Sequence, residues 1–170
     1  TPKKIPENFF SLIEKLSGTS KYLIYRVDLF DFSLEHWNKT KEIYETKGGK
    51  VILNSRLKDI ISNHECLHLT SSDFTKTNEL SSSLTGASCH NKNEVIKAAQ
   101  LNLDYIFISP IKNVANKNPA LGWEEFSNLA KLFPGPSFAL GGLKQEDLRI
   151  AKENGAQGIA GISGFFQSSK

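Results

Sequence analysis

Hydrophobic and polar positions alternate along the chain in two patterns, which predict helices and strands in turn. Short runs of apolar, β-branched and aromatic residues predict strands, whereas apolar residues spaced three or four apart predict helices. The helical pattern comes first, with an apolar face from Phe9 to Leu16 and Gly18 as a stop. We then predict seven strands, separated for the most part by helices, at residues 21–27, 50–54, 66–70, 85–90, 104–109, 137–143 and 157–164.

This alternation predicts an α/β domain built on a parallel sheet that is covered by helices. A doubly wound sheet would suit seven strands, but no Gly-x-Gly-x-x-Gly motif follows the first strand, which disfavours dinucleotide binding. The helix-first start favours a (β/α)8 TIM barrel whose first strand is short or missing. The barrel would be compact, because 170 residues are fewer than the about 250 that are typical. We assign residues 1–170 to this single domain.

Composition narrows the classes of function. The chain is 39% hydrophobic and 23% charged, which is typical of a soluble globular domain. Its apolar runs are shorter than the about 20 residues that a membrane helix requires. The net charge of +3 is spread without a basic block, so we expect neither a membrane nor a nucleic acid as partner, and an anionic small molecule remains open. Cys66 and Cys89 are predicted to be reduced, buried thiols of a cytoplasmic protein.

The longest predicted loop follows the strand at residues 104–109. Ser109-Pro110 ends that strand, because proline cannot donate to a ladder of hydrogen bonds. A polar, basic stretch that includes Asn116 and Lys117 then leads to a helix beginning near Trp123. Enzymes of the α/β class build their sites from loops at the carboxyl ends of strands. We therefore interpret this loop as the main candidate site, with a solvated surface loop as the alternative.

Glycines follow the last two predicted strands, as Gly141-Gly142 and as Gly161 and Gly164. In barrels, the loops after the last two strands often bind phosphate through backbone N–H groups. Glycine lets the backbone approach the anion without a side chain in the way. The two loops are interpreted as a phosphate site, with tight turns of no further function as the alternative.

Polar residues mark the other predicted strand ends: Arg26, Asn54, Arg56, His68, Ser88, His90 and Lys117. Arginine and lysine neutralise phosphate oxygens, and Asn54 and Ser88 can donate hydrogen bonds. Asp73 offers a carboxylate to a divalent cation. Each residue alone is more often solvated or structural, and His68, inside a strand, fits a hydrogen-bonded core histidine. Together they predict a site for a polyanion.

Five segments carry a resemblance to a known family: GASCH (86–90), LDYIFISPI (103–111), LGWEEF (121–126), FALGGL (138–143) and GAQGIAGIS (155–163). In this order and spacing, the chain from about Phe9 to Phe166 resembles the thiamine-phosphate synthase and thiazole tautomerase superfamily. It is most similar to the variety fused behind a Nudix hydrolase domain. The resemblance implies a (β/α)8 barrel, and it implies that residues 1–170 are the C-terminal part of a longer chain.

The resemblance also implies a reaction. Synthases of the family join a pyrimidine diphosphate to a thiazole phosphate in the presence of Mg²⁺ and release pyrophosphate. The diphosphate leaves first, helped by the metal and by cationic side chains, and the thiazole nitrogen then captures the pyrimidine cation. The main task of such a site is electrostatic stabilisation of the leaving diphosphate.

The diphosphate side of the family site is only partly kept. By the resemblance, Arg26, Asn54 and Arg56 bind the diphosphate and Asp73 is one of two metal-binding carboxylates. Ile24, Asp28 and Ser55 stand where the family has a Gln, a Lys and the second carboxylate. Losing one charged contact to a leaving group typically costs about 10²-fold in rate. The resemblance therefore implies weak or altered synthase activity.

The thiazole-phosphate side is better kept. By the resemblance, the phosphate is bound by Gly141, Gly142, Ile162, Ser163 and Asn116, and catalysis involves Arg26, Ser88 and Lys117. Asn116 replaces one threonine of the family and Val114 another. The catalytic histidine of the tautomerases would fall at Pro110, which excludes tautomerase chemistry through that residue. The expected ligand is a phosphorylated small molecule such as thiazole phosphate.

Two functions follow from this comparison of residues. The first is a thiamine-phosphate synthase-like transferase of weak or altered activity. The second is a non-catalytic module that binds a phosphorylated ligand and regulates a fused Nudix domain. Seven strands without an eighth would also leave an unpaired sheet edge, which favours a homodimer.

Overall fold

A computed structural model of the chain describes residues 1–61, 64–80, 82–115 and 118–166. Within these ranges it contains the seven predicted strands: β1 (Tyr22–Tyr25), β2 (Lys50–Asn54), β3 (Cys66–Leu69), β4 (Leu84–Cys89), β5 (Tyr105–Ile108), β6 (Ser137–Leu140) and β7 (Gly158–Ala160). Each strand pairs in parallel with the next one along the chain, so the strands lie in the sheet in sequence order. All seven carboxyl ends therefore lie at the same edge.

The strand order decides between the two predicted architectures. A doubly wound sheet reverses its direction of winding partway along the chain, whereas this sheet winds in one direction throughout. The fold is therefore α/β, with seven parallel strands that form a curled half-barrel. A closed eight-stranded barrel is not seen in the described ranges.

Residues 1–3 lie along the outer edge of β1, where a short first strand was expected. The backbone nitrogen of Thr1 donates to the carbonyl of Ile24 over 2.5 Å. The N–H of Arg26 donates to the Thr1 hydroxyl over 2.7 Å, and the N–H of Asp28 donates to the carbonyl of Lys3 over 2.8 Å. These contacts partly cover the edge of β1 without forming a strand.

Helices cover the outer face of the sheet: α1 (Phe9–Ser17), α2 (Leu34–Glu45), α3 (Ser71–Lys76), α4 (Lys92–Gln100), α5 (Gly122–Ala130) and α6 (Leu148–Glu153). The side chains of Ser33 and Asn91 accept from backbone N–H groups and cap α2 and α4. The side chain of Thr70 caps α3 in the same way, directly after β3. None of the described helices is long and apolar enough to cross a membrane.

The two faces of the sheet carry separate apolar cores. The larger core lies between the sheet and the helices and includes Tyr25, Tyr44 and Phe126. The smaller core lies on the inner face and contains Ile52, Cys66 and Tyr105, with Ile24, Leu84, Phe107 and Phe138 packed against it. A Cβ at Gly86 would lie 2.2 Å from the Tyr105 ring, so glycine at this position makes room for the aromatic side chain. Cys66 and Cys89 are both free and buried, as predicted.

Candidate active site

The structure places the predicted site residues at the carboxyl edge of the sheet. Arg26 follows β1, Asn54 ends β2, Asp73 lies in the helix after β3, and Ser88 lies near the end of β4. The glycine pair at 141–142 follows β6, and residues 162–163 follow β7. Asn116 and Lys117, predicted from the loop after β5, lie outside the described residues.

Arg26 and Arg56 form the cationic part of this edge. Burial lowers the pKa of Arg26, the charge of Arg56 lowers it further, and the carboxylate of Asp28 partly offsets both effects. The Arg26 guanidinium remains protonated, because arginine is not deprotonated in proteins. Two like charges close enough to perturb each other favour an anion between them, so this pair suits a phosphate or a diphosphate.

Asn54 shapes the turn that carries Arg56. Its side-chain carbonyl accepts a hydrogen bond from the N–H of Arg56 over 3.3 Å, which caps the 3-10 turn at Ser55–Leu57. Asn54 is also buried and pairs with His68 across β2 and β3. Its observed contact is therefore structural and holds Arg56 at the rim.

Asp73, the predicted metal ligand, is in direct contact with Ser55, which stands where the family has the second carboxylate. The Ser55 hydroxyl donates to Oδ2 of Asp73 over 2.5 Å, and the Thr70 hydroxyl donates to the same oxygen over 2.7 Å. Partial burial raises the pKa of Asp73, but these hydrogen bonds and the charges of Lys58 and Lys76 outweigh it and hold the pKa below its usual value. Asp73 is ionised at neutral pH, and its charge is stabilised by the protein itself.

These residues do not fit a resident Mg²⁺ site. Mg²⁺ is bound in proteins by one or two carboxylates together with substrate phosphates, in strict octahedral geometry. Here the expected pair is one carboxylate and one hydroxyl, and one carboxylate oxygen already accepts two hydrogen bonds. No group of three or more His, Cys, Asp or Glu side chains that could hold a metal occurs within the described ranges.

The inner face carries a chain of hydrogen bonds from the core to the rim. The hydroxyl of Tyr105 lies 3.0 Å from Nδ1 of His68, and Nε2 of His68 lies 3.0 Å from the hydroxyl of Ser88. Burial, together with the charge of Arg26, lowers the pKa of His68 to about 3. The imidazole is therefore neutral at physiological pH. Sequence patterns suggested a satisfied core histidine but not its two partners.

The glycine pair after β6 allows two loops to approach each other closely. Gly141 and Gly142 have φ angles of 107° and 69°, in the left-handed region that favours glycine. A Cβ at Gly141 would lie 2.8 Å from Cα of Pro110, and one at Gly142 would lie 2.9 Å from Cβ of Lys112. These glycines therefore do form a tight turn, as the alternative interpretation held. A tight turn of this kind is compatible with a phosphate site.

Free backbone donors remain at this place. No acceptor is found among the described residues for the N–H groups of Gly142, Ser163 and Gly164. Ser163 and Gly164 are exposed, in the turn that follows β7. Unpaired N–H groups from two neighbouring loops are the donors from which phosphate-binding cradles are built.

Lys112 and Asp147 join the loop after β5 to the turn after β6. The Lys112 ammonium lies 2.7 Å and 2.9 Å from the two carboxylate oxygens of Asp147, which also accept from the N–H of Lys144. The hydrogen bond from Lys112 is the main cause that lowers the pKa of Asp147. The sequence did not point to Asp147. An acidic residue at the start of a helix is common, and nothing local to it indicates a partner 35 positions away.

The family profile of thiamine monophosphate synthase matches residues 4–165. The chain belongs to this family. A relative from Aquifex aeolicus is 28% identical over 174 residues, which cover 97% of this chain and 94% of that protein. The thiamine-phosphate synthase of Prochlorococcus marinus is 33% identical over 173 residues, 95% of this chain but 49% of the relative. The chain thus spans about half the length of some of the curated synthases that it matches.

Solved structures agree on the fold. The thiamine phosphate pyrophosphorylase from Pyrococcus furiosus superposes with a TM-score of 0.71 over 92% of this chain and 79% of that one. Sequence identity is 17%, so this likeness shows the fold alone. The curled sheet of this chain is therefore similar to the barrel-like fold of a synthase of the same family.

Proposed function

We propose that this domain binds a thiazole phosphate and a pyrimidine diphosphate at the carboxyl edge of its sheet and joins them slowly into thiamine phosphate. In this reaction the C–O bond to the diphosphate breaks and the leaving group keeps the electron pair. The lone pair of the thiazole nitrogen then forms the new C–N bond. Membership of the thiamine monophosphate synthase family supports this reaction class.

The thiazole phosphate is assigned to the loops after β6 and β7. The N–H groups of Gly142 and Ser163 point to this role, since no described acceptor pairs with them. Gly141, Ile162 and Asn116 complete the proposed phosphate site. Backbone donors bind a phosphate without losing side-chain entropy, because the loops are already ordered by their own contacts.

The diphosphate is assigned to Arg26 and Arg56, with Asn54 holding Arg56 in place. Lys117, which follows β5 in the sequence, is kept as a further proposed contact. The two guanidinium groups can each donate to phosphate oxygens in bidentate fashion. They stabilise the charge that develops as the leaving group departs. Asp28 lowers the positive potential here, because its carboxylate interacts with Arg26.

One observation supports the proposal of slow turnover: Ser55 donates to Asp73 where the resemblance places two metal-binding carboxylates. The family generally uses Mg²⁺, and this pair offers a metal only one, already hydrogen-bonded, carboxylate. Asp73 is kept as the proposed contact for any metal that enters with the diphosphate. A missing charge at a leaving diphosphate typically costs about 10²-fold in rate.

The same observation favours a second candidate, a module that binds a phosphorylated ligand without turning it over. Such a module could accompany a Nudix hydrolase domain on a longer chain. The two candidates share the phosphate site and differ in whether the diphosphate side catalyses bond cleavage. Among the described residues, no strand pairs with the outer edge of β7, so a homodimer is also kept as a proposal, to be tested by sedimentation.

The deciding experiment measures thiamine phosphate formation from both substrates with millimolar Mg²⁺, together with calorimetric titration by thiazole phosphate alone. Slow but saturable product formation supports the synthase. Binding of thiazole phosphate without product supports the module. A chain that neither binds thiazole phosphate nor forms product contradicts both. Ser163→Pro removes the proposed backbone donor and should weaken binding in either case.

A further inference from the structure

The hydrogen-bonded chain Tyr105–His68–Ser88 crosses the inner face of the sheet and ends at the proposed ligand site. Tyr105 and His68 are buried, whereas Ser88 is only partly buried near the end of β4. The rings of His68 and Tyr105 stack with centroids 5.7 Å apart, and Phe107 packs against the same imidazole at 4.8 Å. The aromatic contacts fix the orientation of the imidazole, so both of its nitrogens have defined partners.

The direction of the first hydrogen bond follows from the surroundings of Tyr105. Burial raises the pKa of the Tyr105 phenol well above its usual value, so the hydroxyl keeps its proton. That proton needs an acceptor, since leaving it unpaired in the core would cost about 1–3 kcal/mol. Nδ1 of His68 is the one acceptor found within the described ranges. Tyr105 therefore donates and Nδ1 accepts.

The direction of the second hydrogen bond follows from the first. A neutral imidazole carries a proton on only one nitrogen, and His68 is neutral because it is buried near Arg26. With Nδ1 accepting, the proton lies on Nε2 and is donated to the hydroxyl oxygen of Ser88. The Ser88 proton cannot point back at the imidazole. It is left to point away from the core.

We propose that Tyr105 and His68 are positioning residues that direct the Ser88 hydroxyl proton towards the ligand, so that Ser88 acts as a hydrogen-bond donor to it. This inference rests on the proposed function, since the atom that Ser88 contacts belongs to a ligand bound at the carboxyl ends of the strands. The recognised chemistry is an acceptor atom, either a ring nitrogen or a phosphate oxygen. An acceptor group of the ligand is favoured at this position, because the proton of Nε2 occupies one lone pair of the Ser88 oxygen and leaves the Ser88 proton to be donated.

The first test reads the tautomer of His68 without any ligand. Long-range ¹⁵N–¹H correlation spectra should show His68 as the Nε2–H tautomer from pH 5 to pH 8. Tyr105→Phe removes the donor at Nδ1 and should give a mixture of tautomers. A wild-type spectrum of the Nδ1–H tautomer, or an imidazole that titrates near pH 6.5, would overturn the inference.

The second test measures binding. Ser88→Ala and Tyr105→Phe should each raise the Kd of the probe that contacts Ser88 by about three- to tenfold, the worth of one net hydrogen bond. The double variant should be no worse than Ser88→Ala alone, because both changes remove the same contact. Tyr25→Phe is the matched control. It removes a similar buried bond, from the Tyr25 hydroxyl to Nδ1 of His36 over 2.9 Å, on the helix-covered side of the sheet.

Three probes separate the sources of the acceptor: thiazole phosphate, hydroxymethylpyrimidine and inorganic pyrophosphate. If Ser88→Ala raises the Kd only for the two heteroaromatic probes, the acceptor is a ring nitrogen. If it raises the Kd for pyrophosphate, the acceptor is a phosphate oxygen. Wild-type affinity in Tyr105→Phe beside weakened binding in Ser88→Ala would overturn the positioning role. If no probe binds the wild type, the proposed function fails, and the tautomer still decides the direction of the hydrogen bonds.

Discussion

The hydroxyl of Ser55 donates to the carboxylate of Asp73, at the two positions that the sequence resemblance assigns to metal-binding carboxylates. Thr70 completes the hydrogen bonds of this pair. Its hydroxyl donates to the same Asp73 oxygen, and its N–H donates to the hydroxyl oxygen of Ser55. The Asp73 carboxylate is therefore stabilised by hydrogen bonds from the protein and does not require a metal. Mg²⁺ would bind weakly at this corner, formed by Ser55, Thr70 and Asp73, because Ser55 does not supply the second negative charge.

Restoring the carboxylate should make stability at this corner depend on the metal. In Ser55→Asp, two like charges meet in a buried corner, which we expect to lower the free energy of unfolding by about 2 kcal/mol without metal. Millimolar Mg²⁺ should recover that loss and raise the rate of product formation. Thermal unfolding with and without Mg²⁺ measures the first effect, and the synthase assay measures the second.

Ser55→Asn is the control for that experiment, because it changes the size of the side chain without adding a charge. Its melting temperature should not respond to Mg²⁺. A Ser55→Asp variant that also fails to respond would contradict the assignment of this corner as the former metal site.

Gly142 should be far less tolerant of a side chain than Gly48, although both have positive φ angles, 69° and 73°. A Cβ at Gly48 meets nothing within 4 Å, whereas a Cβ at Gly142 meets Lys112 at 2.9 Å. Gly48→Ala should cost about 1 kcal/mol from backbone strain alone. Gly142→Ala should cost about 2–3 kcal/mol, since overpacking is added to strain.

Binding separates the two glycine variants further. Gly142→Ala should abolish thiazole phosphate binding under conditions where the protein is folded, because the added Cβ would meet Lys112 at 2.9 Å and displace the N–H that is a proposed phosphate donor. Gly48→Ala should bind as the wild type does. Denaturant unfolding and calorimetry measure both quantities, and equal binding by the two variants would remove Gly142 from the phosphate site.

Much of the fold could be predicted, because the signals for it are local. Alternating apolar runs defined seven strands, and the polar caps Ser33 and Asn91 marked the starts of two helices. The end of the strand at residues 66–70 was harder to predict, because Thr70 both ends the strand and caps α3. The six residues of α3 are mostly polar and rich in serine and threonine, so they lack the apolar spacing of a helix. Strand order was not local information, and only the structure excluded the doubly wound sheet.

The candidate site was predictable as residue types but not as contacts. Arg26, Asp73 and Ser88 could be named because each stands near a predicted strand end. That Ser55 binds Asp73, or that Tyr105 reaches Ser88 through His68, depends on side chains 18 to 37 positions apart in sequence. Such pairs follow from the register of parallel strands, which no pattern within one strand determines.

Stability should fall in mild acid because of His68. Its folded-state pKa is about 3, through burial and the charge of Arg26, and the pKa of an unfolded histidine is near 6.5. Between these values the unfolded chain binds a proton that the folded chain does not, so the free energy of unfolding falls as the pH drops. The expected loss from this residue between pH 7 and pH 5 is about 2 kcal/mol.

His68→Gln tests this sign, since glutamine cannot titrate in that range. Urea unfolding of the variant should show a smaller difference in stability between pH 7 and pH 5 than the wild type does. Burial also lowers the pKa of His36, so His36 changes the stability in the same direction. Because both proteins contain His36, its contribution cancels in the comparison. Parallel stability curves for the two proteins would show that His68 is not held neutral.

The Lys112–Asp147 pair should stabilise the loop after β5, whereas the exposed pair Arg149–Glu153 should contribute little. Asp147 is mostly buried, with 12% of its side chain exposed, and it accepts from both Lys112 and the N–H of Lys144. Asp147→Asn should lower the free energy of unfolding by about 1 kcal/mol. Glu153→Gln removes a pair whose side chains are 85% and 54% exposed, and should change it by less than about 0.5 kcal/mol.

The pair also sets where the loop lies relative to the proposed phosphate site, because the N–H of Lys112 donates to the carbonyl of Gly141 beside it. Asp147→Asn should therefore weaken thiazole phosphate binding as well, whereas Glu153→Gln should not. The pKa of Asp147 is depressed by Lys112, so its contribution is present above the unfolded value of about 3.9 and is lost as the pH falls through the lower folded value. Calorimetry at neutral pH separates the roles: a fall in stability with unchanged affinity would confine this pair to the fold.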